Sequence, residues 1–187
     1  ITRRIAEHHG VKPENILLGA GSGEILDVVG TTFLIGGKKV LGADPSYGSV
    51  YQHATAIKSE AIKVPLNADF TQNTGAMIEL ANKHAAELGF YYLCNPNNPT
   101  GVVVPKQEVK QIVDSLPKDM PILIDEAYHH FVNTPNYETA IPFVLEGRPV
   151  IVARTFSKIA GLAAMRLGYA VAPAPIIQQM RPYAMNS

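Results

Sequence analysis

Short apolar runs alternate along this chain with longer segments in which apolar residues recur every three or four positions. The helical stripes fall within residues 25–33, 77–88 and 109–116, and the apolar runs cover residues 16–18, 39–43, 61–65, 90–94, 122–124, 150–153 and 168–172. Most of these runs are apolar throughout, as strands are when helices cover both faces of their sheet. Strands that alternate with helices require crossover connections, so this pattern predicts the α/β class.

The predicted fold is a three-layer αβα sandwich around a mainly parallel, seven-stranded sheet. The chain has 187 residues, of which 47% are hydrophobic, and this is enough for one domain with a sizeable core. No linker, repeat or shift of composition marks a second domain, so we treat residues 1–187 as one unit. Pro105 is predicted to open the third helix and Gly89 to cap the second.

The charge balance and the single cysteine limit the partners and the compartment. With 16 basic and 16 acidic side chains and a pI near 7.2, the chain lacks the electrostatic footprint that binding to nucleic acid or an acidic membrane needs. The longest charge-free run, residues 88–105, contains asparagines and prolines that hydrocarbon would not tolerate, so we predict no membrane span. Cys94 can form no internal disulfide, which suits a reducing, cytoplasmic compartment.

Polar residues directly follow five of the predicted strands. These polar stretches are residues 19–24, 44–47, 95–101, 125–128 and 154–158. Ligands of open parallel sheets bind outside the carboxyl ends of the strands, so we expect the five stretches to converge on one rim.

The glycine-rich turn at residues 19–24 is a candidate phosphate seat, because it presents free N–H groups and the positive end of a helix macrodipole. It is not the dinucleotide fingerprint, whose third glycine would fall at Glu24, and residues 37–39 do not complete a Walker loop. A generic strand–helix turn would look the same. Arg166 and the hydroxyls of Thr155 and Ser157 could complete an anion site.

Two charged residues near strand ends suggest chemistry. Lys158 lies among small and apolar residues, and a desolvated lysine near another cation can act as a neutral amine that forms a Schiff base. Asp125 ends a buried strand and should therefore have a cationic partner. Taken alone, Lys158 would be an ordinary surface lysine. Together with a phosphate seat, the two residues meet the requirements of pyridoxal phosphate.

Three motifs give the chain a specific resemblance. They are NPNNPTG at residues 95–101, DEAY at residues 125–128, and TFSK at residues 155–158 followed by Arg166. With them the chain resembles, along its whole length, the large domain of fold type I pyridoxal-phosphate enzymes in the class I/II aminotransferase family. Within that family it looks most like the histidinol-phosphate aminotransferase branch.

The resemblance implies a role for each matching residue. Lys158 would hold the cofactor aldehyde and move a proton between substrate and cofactor, and Asp125 would pair with the ring nitrogen. Asn98 and Tyr128 would contact the phenolic oxygen of the ring, with Tyr128 counted among the catalytic residues, and Tyr47 would stack on the ring. The phosphate would be held by Ser22, Gly23, Thr155, Ser157 and Arg166. No metal is implied.

The implied reaction is transfer of an amino group from an amino acid, with histidinol phosphate or an aromatic amino acid as candidates, to a 2-oxo acid. A decarboxylase or lyase that uses the same cofactor stays open, as does a truncated cofactor-binding module without turnover. A dinucleotide-dependent oxidoreductase is disfavoured by the failed fingerprint. Neither nucleic acid nor membrane is an expected partner.

Family members are about twice as long as this chain and form homodimers. Their smaller domain, built from both chain ends, carries an arginine for the substrate carboxylate, and an upstream tyrosine reaches into the neighbouring subunit. The sequence starts at Ile1, without an initiator Met, and residues 1–9 are already predicted to be helical. We therefore expect a fragment or processed piece, with any targeting signal upstream.

Overall fold

One seven-stranded sheet organises the protein, whose computed structural model describes residues 1–185. Its strands are β1 (Ile16–Gly19), β2 (Lys39–Asp44), β3 (Ala61–Pro65), β4 (Leu88–Cys94), β5 (Ile122–Asp125), β6 (Val150–Thr155) and β7 (Gly168–Val171). The spatial order is β1-β7-β6-β5-β4-β2-β3. Strands β2 to β6 run parallel, whereas β7 is antiparallel to both of its neighbours. All strands except β7 therefore end at the same edge of the sheet.

Helices cover both faces of this sheet. They are α1 (Thr2–His9), α2 (Ser22–Leu34), α3 (Ser49–Ala56), α4 (Thr74–Lys83), α5 (Lys106–Ser115), α6 (Ile141–Leu145) and α7 (Ala174–Met180). Buried side chains of α2, α3 and α7 form one hydrophobic core, and those of α1, α4, α5 and α6 form the other. The predicted three-layer αβα sandwich is thus confirmed. None of the helices within residues 1–185 is both long and apolar enough to cross a bilayer.

The central strand β4 shows why the apolar pattern predicts the sheet so well. All seven of its residues are buried, because its two faces pack against the two separate cores. Its aromatic residues Phe90, Tyr91 and Tyr92 fill the space on alternate faces, as the two-residue period of a strand requires.

Gly89 has a different role from the predicted helix cap. Helix α4 already ends at Lys83, and Gly89 lies inside β4. A Cβ atom at Gly89 would lie 2.0 Å from the carbonyl oxygen of Phe33, near the end of α2. The glycine is therefore required by the close approach of a helix to the sheet, and the prediction of a cap was wrong. Pro105 is the residue immediately before α5, as its pattern suggests.

Candidate active site

The polar strand ends converge on one cavity, as the strand-end rule predicts. The cavity is lined by Ser22, Tyr47, Cys94, Asn98, Asp125, Ala127, Tyr128 and Lys158. These residues come from the ends of β1, β2, β4, β5 and β6 or from the turns that follow them. Parallel strands bring them together although they are far apart in the chain.

The turn from β1 into α2 is built by glycines that permit a very close approach. Gly21 has φ 85°, and a Cβ atom there would lie 2.6 Å from Nη2 of Arg166. A Cβ atom at Gly168 would lie 2.3 Å from the carbonyl carbon of Gly21. Helix α2 begins at Ser22 and continues with Gly23, and no side chain of residues 1–185 caps its N-terminus. This end of α2 therefore offers N–H groups and positive potential to an anion.

Arg166 lies beside this turn and adds a positive charge. Its Nη2 donates to the carbonyl oxygen of Ala20 at 3.0 Å, and its Nη1 donates to Ser157 Oγ at 3.3 Å. Arg166 has φ 46°, in the left-handed region. The buried hydroxyl of Thr155 accepts the Ser157 backbone N–H at 3.1 Å, and Thr155 lines a neighbouring cavity rather than this one. Arg166 and Ser157 thus extend the anion seat, while the Thr155 hydroxyl orders their turn.

Asp125 is the most unusual ionisable group of the cavity. Its carboxylate is fully buried and accepts one hydrogen bond, from the Ala127 N–H at 3.1 Å. Burial raises the pKa of Asp125 to about 6, with a further rise from Glu126 and an opposing effect of that hydrogen bond and of Lys158. We expected a cationic partner, but no side chain within residues 1–185 forms an ion pair with Asp125. Because a buried carboxylate needs such a partner, this side chain is suited to a cationic ligand.

Lys158 lines the cavity at its solvent-exposed edge. Its Nζ lies 5.1 Å from the centre of the Tyr128 ring, within the range of a cation–π interaction. The sequence predicts a desolvated lysine, and this prediction was wrong for the described chain, where Lys158 is exposed. The apolar neighbours that suggested desolvation do not cover it, since Ile159 is 51% exposed and Leu162 is 43% exposed.

The loop after β4 is tied to the loop after β2 through Asn97 rather than Asn98. Ser46 Oγ donates to Asn97 Oδ1 at 2.7 Å, and Asn97 Nδ2 donates to the carbonyl oxygen of Pro45 at 3.2 Å. The side chain of Asn98 makes no hydrogen bond to any of residues 1–185 and lines the cavity. Tyr47 is 39% exposed beside it. An amide and an aromatic face are therefore both available to a ligand.

A buried ion pair behind the cavity is the feature that the sequence analysis missed. Glu126 Oε2 accepts hydrogen bonds from Arg154 Nε at 3.0 Å and from Arg154 Nη2 at 2.7 Å. The two side chains are 1% and 4% exposed. The available signal was an arginine at the end of an otherwise apolar strand, because a buried charge requires a partner.

The donor set defines the kind of ligand that the cavity fits. A cation or protonated ring nitrogen would satisfy Asp125, and an anionic group would suit the start of α2 with Arg166 beside it. An amine at Lys158 could bond to a carbonyl, and Tyr47 offers a face to a planar ring. Pyridoxal phosphate carries all four of these features, so the residues present fit that cofactor.

Comparisons with known proteins agree with this arrangement. The model of the family described as aminotransferase class I and II matches residues 1–187. The chain therefore belongs to the class I and II aminotransferase family. Histidinol-phosphate aminotransferase 1 of Bacillus cereus is 36% identical over 177 residues, which make up 95% of this chain and 47% of that protein.

Solved structures have the same fold. One from Erwinia carotovora atroseptica has a TM-score of 0.92 and 31% identity, covering 98% of this chain and 53% of that chain. Histidinol-phosphate aminotransferase from Sinorhizobium meliloti, in complex with pyridoxal-5'-phosphate, has a TM-score of 0.88 and 26% identity. The match covers 97% of this chain and 48% of that chain. The chain thus spans about half the length of the relatives that it matches.

Proposed function

We propose that residues 1–187 form the cofactor-binding large domain of a pyridoxal-phosphate-dependent aminotransferase, which transfers an amino group from an amino acid or a related primary amine to a 2-oxo acid. The observation that carries this proposal is the buried Asp125 carboxylate, which forms no ion pair with any side chain of residues 1–185 and lines the same cavity as Lys158. Membership of the aminotransferase family supports it.

The residues of the cavity divide the work of holding the cofactor. When bound, pyridoxal phosphate supplies an aldehyde that reacts with amines and a ring that accepts electrons from a breaking bond. Asp125 keeps a proton on the ring nitrogen, Tyr47 covers one face of the ring, and Asn98 and Tyr128 donate to the ring oxygen. Lys158 provides the amine. The phosphate is held by Ser22, Gly23, Ser157 and Arg166, and the Thr155 hydroxyl orders the Ser157 turn.

Lys158 and Tyr128 then act on the substrate. We assign to Lys158 the transfer of a proton from the substrate α-carbon, which requires the amine in its neutral form. The Tyr128 ring, 5.1 Å from Nζ, keeps the amine near the cavity. Lys158 is exposed in the described chain, so we propose that neighbouring protein covers it during turnover.

The finer assignments rest on the relatives. Histidinol phosphate is the amino donor that we favour, because the Bacillus cereus relative is a histidinol-phosphate aminotransferase; an aromatic amino acid is the second candidate. We further propose a homodimer, whose second subunit completes the phosphate site, and a cytoplasmic location that suits the single unpaired cysteine.

The test of this proposal is capture of the cofactor. Adding pyridoxal phosphate and then borohydride should leave a permanent label on Lys158, identified by peptide mass spectrometry. Lys158→Ala should lose the label, whereas Lys118→Ala, at an exposed lysine away from the cavity, should keep it. The same label in Lys158→Ala would refute the assignment. If an amino acid releases carbon dioxide and no 2-oxo acid is formed, the reaction is decarboxylation and not transamination.

A further inference from the structure

The buried ion pair between Glu126 and Arg154 is supported by further hydrogen bonds to the Glu126 carboxylate. Besides two bonds from Arg154, the Glu126 carboxylate accepts the Thr139 hydroxyl at 2.9 Å and the Ala140 N–H at 2.7 Å. Arg154 Nη2 also donates to Thr139 Oγ1 at 2.9 Å. Such a cluster has few alternative arrangements, because any movement leaves a charge unpaired in a medium of low dielectric.

A chain of hydrogen bonds leads from the neighbourhood of this pair to the loop that carries Asn98. The backbone N–H of His129 donates to the carbonyl oxygen of Glu126 at 3.0 Å. Nδ1 of the His129 ring lies 3.8 Å from Glu126 Oε2, beyond hydrogen-bond distance, and 3.1 Å from the Tyr137 hydroxyl, within it. The Tyr137 hydroxyl in turn donates to the carbonyl oxygen of Asn95 at 3.3 Å. Burial and the positive charge of Arg154 lower the pKa of His129 to about 4. Because the Tyr137 hydroxyl donates its proton to Asn95, we assign Nδ1 of His129 as the donor to that hydroxyl.

The cluster lies on the opposite face of the sheet from the cavity. Arg154 lies on the same face of β6 as Val152, which belongs to the core formed with α4 and α5. Asp125 lies on the same face of β5 as Leu123, which belongs to the other core, formed with α2, α3 and α7. Glu126 directly follows Asp125 in the chain. None of the linked side chains of Glu126, Arg154, Thr139, His129 and Tyr137 lines the cofactor cavity, so they can act on it only through the backbone.

We propose that these five side chains form a positioning network, which holds the ends of β4, β5 and β6 in register and thereby sets Asn98, Asp125 and Lys158 at the spacing the cofactor needs. The inference rests on the proposed function, since it names what the spacing serves. Backbone bonds join the same strand ends, from Asn95 N–H to the Asp125 carbonyl at 3.0 Å and from Glu126 N–H to the Ala153 carbonyl at 2.9 Å. Misplacing a reacting group by about 1 Å can cost about a hundredfold in rate.

The decisive variant is Tyr137→Phe, which removes one hydroxyl and keeps the ring. Tyr183→Phe is its matched control, because the Tyr183 hydroxyl makes no hydrogen bond within the described part of the chain. Two quantities are measured under conditions where every variant is folded. One is hydrogen exchange of the 95–101 peptide in the cofactor-free protein. The other is the rate at which Lys158 captures pyridoxal phosphate, followed by timed borohydride quenching.

Tyr137→Phe should raise exchange in the 95–101 peptide and slow capture by about tenfold or more, while Tyr183→Phe matches the wild type in both. Unchanged exchange would overturn the network, and raised exchange with unchanged capture would overturn its positioning role. If the wild type captures no cofactor at all, the proposed function and the positioning role fail together, while the exchange result still decides whether the network holds the loop.

A second pair of variants tests the ion pair itself. Arg154→Lys keeps the positive charge but cannot make the two hydrogen bonds that Nε and Nη2 of Arg154 donate to Glu126. Capture of pyridoxal phosphate by Lys158 should therefore slow, as we expect for Tyr137→Phe. Arg148→Lys is the control, since Arg148 pairs with Asp114 at the surface, away from the cavity. Equal capture rates in the two arginine variants would contradict the proposal.

Discussion

Asp125→Asn should stabilise the cofactor-free protein while it impairs the site. Burial raises the pKa of Asp125 from 3.8 to about 6, so the folded state binds more protons than the unfolded state between these two values. Stability contributed by this group is therefore lost as the pH rises through that window. The folded and unfolded pKa values of Asp125 differ by about two, which corresponds to a loss of about 3 kcal/mol of unfolding free energy above pH 7.

An asparagine keeps the oxygen that accepts the Ala127 N–H and carries no charge. In urea unfolding at pH 8, the unfolding free energy of Asp125→Asn should therefore exceed that of the wild type by up to about 3 kcal/mol, and at pH 4 by less than about 1 kcal/mol. Comparing the two proteins at each pH cancels the titration of all other groups. The exposed Asp119→Asn should change stability by less than about 0.5 kcal/mol at either pH.

The reasoning fails if Asp125→Asn is less stable than the wild type at pH 8, or if the difference does not depend on pH. Either result would mean that the carboxylate is well solvated or paired in the folded protein. The variant should also bind pyridoxal phosphate more weakly, because the ring nitrogen loses its anionic partner. Stability and function would then oppose each other at this position, as they often do in active sites.

Four further changes test other parts of the structure. Gly168→Ala places a Cβ atom 2.3 Å from Gly21 and should cost about 1–3 kcal/mol in urea unfolding; an unchanged midpoint would show that the turn can yield. Arg154→Met leaves the buried Glu126 carboxylate unpaired and should lower the unfolding free energy by about 3–5 kcal/mol. An unchanged unfolding free energy would mean that the protein does not need the pair. Arg166→Lys should raise the dissociation constant for pyridoxal phosphate about tenfold by fluorescence titration, because lysine cannot reproduce the guanidinium contacts; equal affinity would remove Arg166 from the seat. Burial raises the pKa of Cys94 to about 12, so thiol reagents at pH 8 should label it slowly unless urea is present, and rapid labelling would contradict its burial.

The fold was largely predictable because both faces of the sheet are covered. Fully buried strands such as β4 appear in the sequence as continuous apolar runs. Helices between successive strands act as crossover connections, so most of the strands are predicted to be parallel. The direction of β7 was not predictable in this way. The connection from β6 to β7, residues 156–167, contains no α-helix, and an apolar run has the same appearance in either direction.

The convergence of the site residues was predictable for the same reason, but their environments were not. Asp125 and Lys158 meet because parallel strands end at one edge. Whether the apolar residues after Lys158 cover its amine depends on tertiary packing, and Ile159 turns out to be exposed. The partner of Arg154 was also hidden, because Glu126 stands beside the more conspicuous Asp125 and an ion pair across two strands leaves no local pattern.

The most direct test of the central claim is a crystal structure of the protein with pyridoxal phosphate. We predict continuous density from Nζ of Lys158 to the cofactor, with the ring nitrogen within hydrogen-bond distance, about 2.6–3.2 Å, of the Asp125 carboxylate. The phosphate should lie at the first turn of α2, next to Arg166. A cofactor joined to a different lysine, or a ring nitrogen turned away from Asp125, would contradict the account.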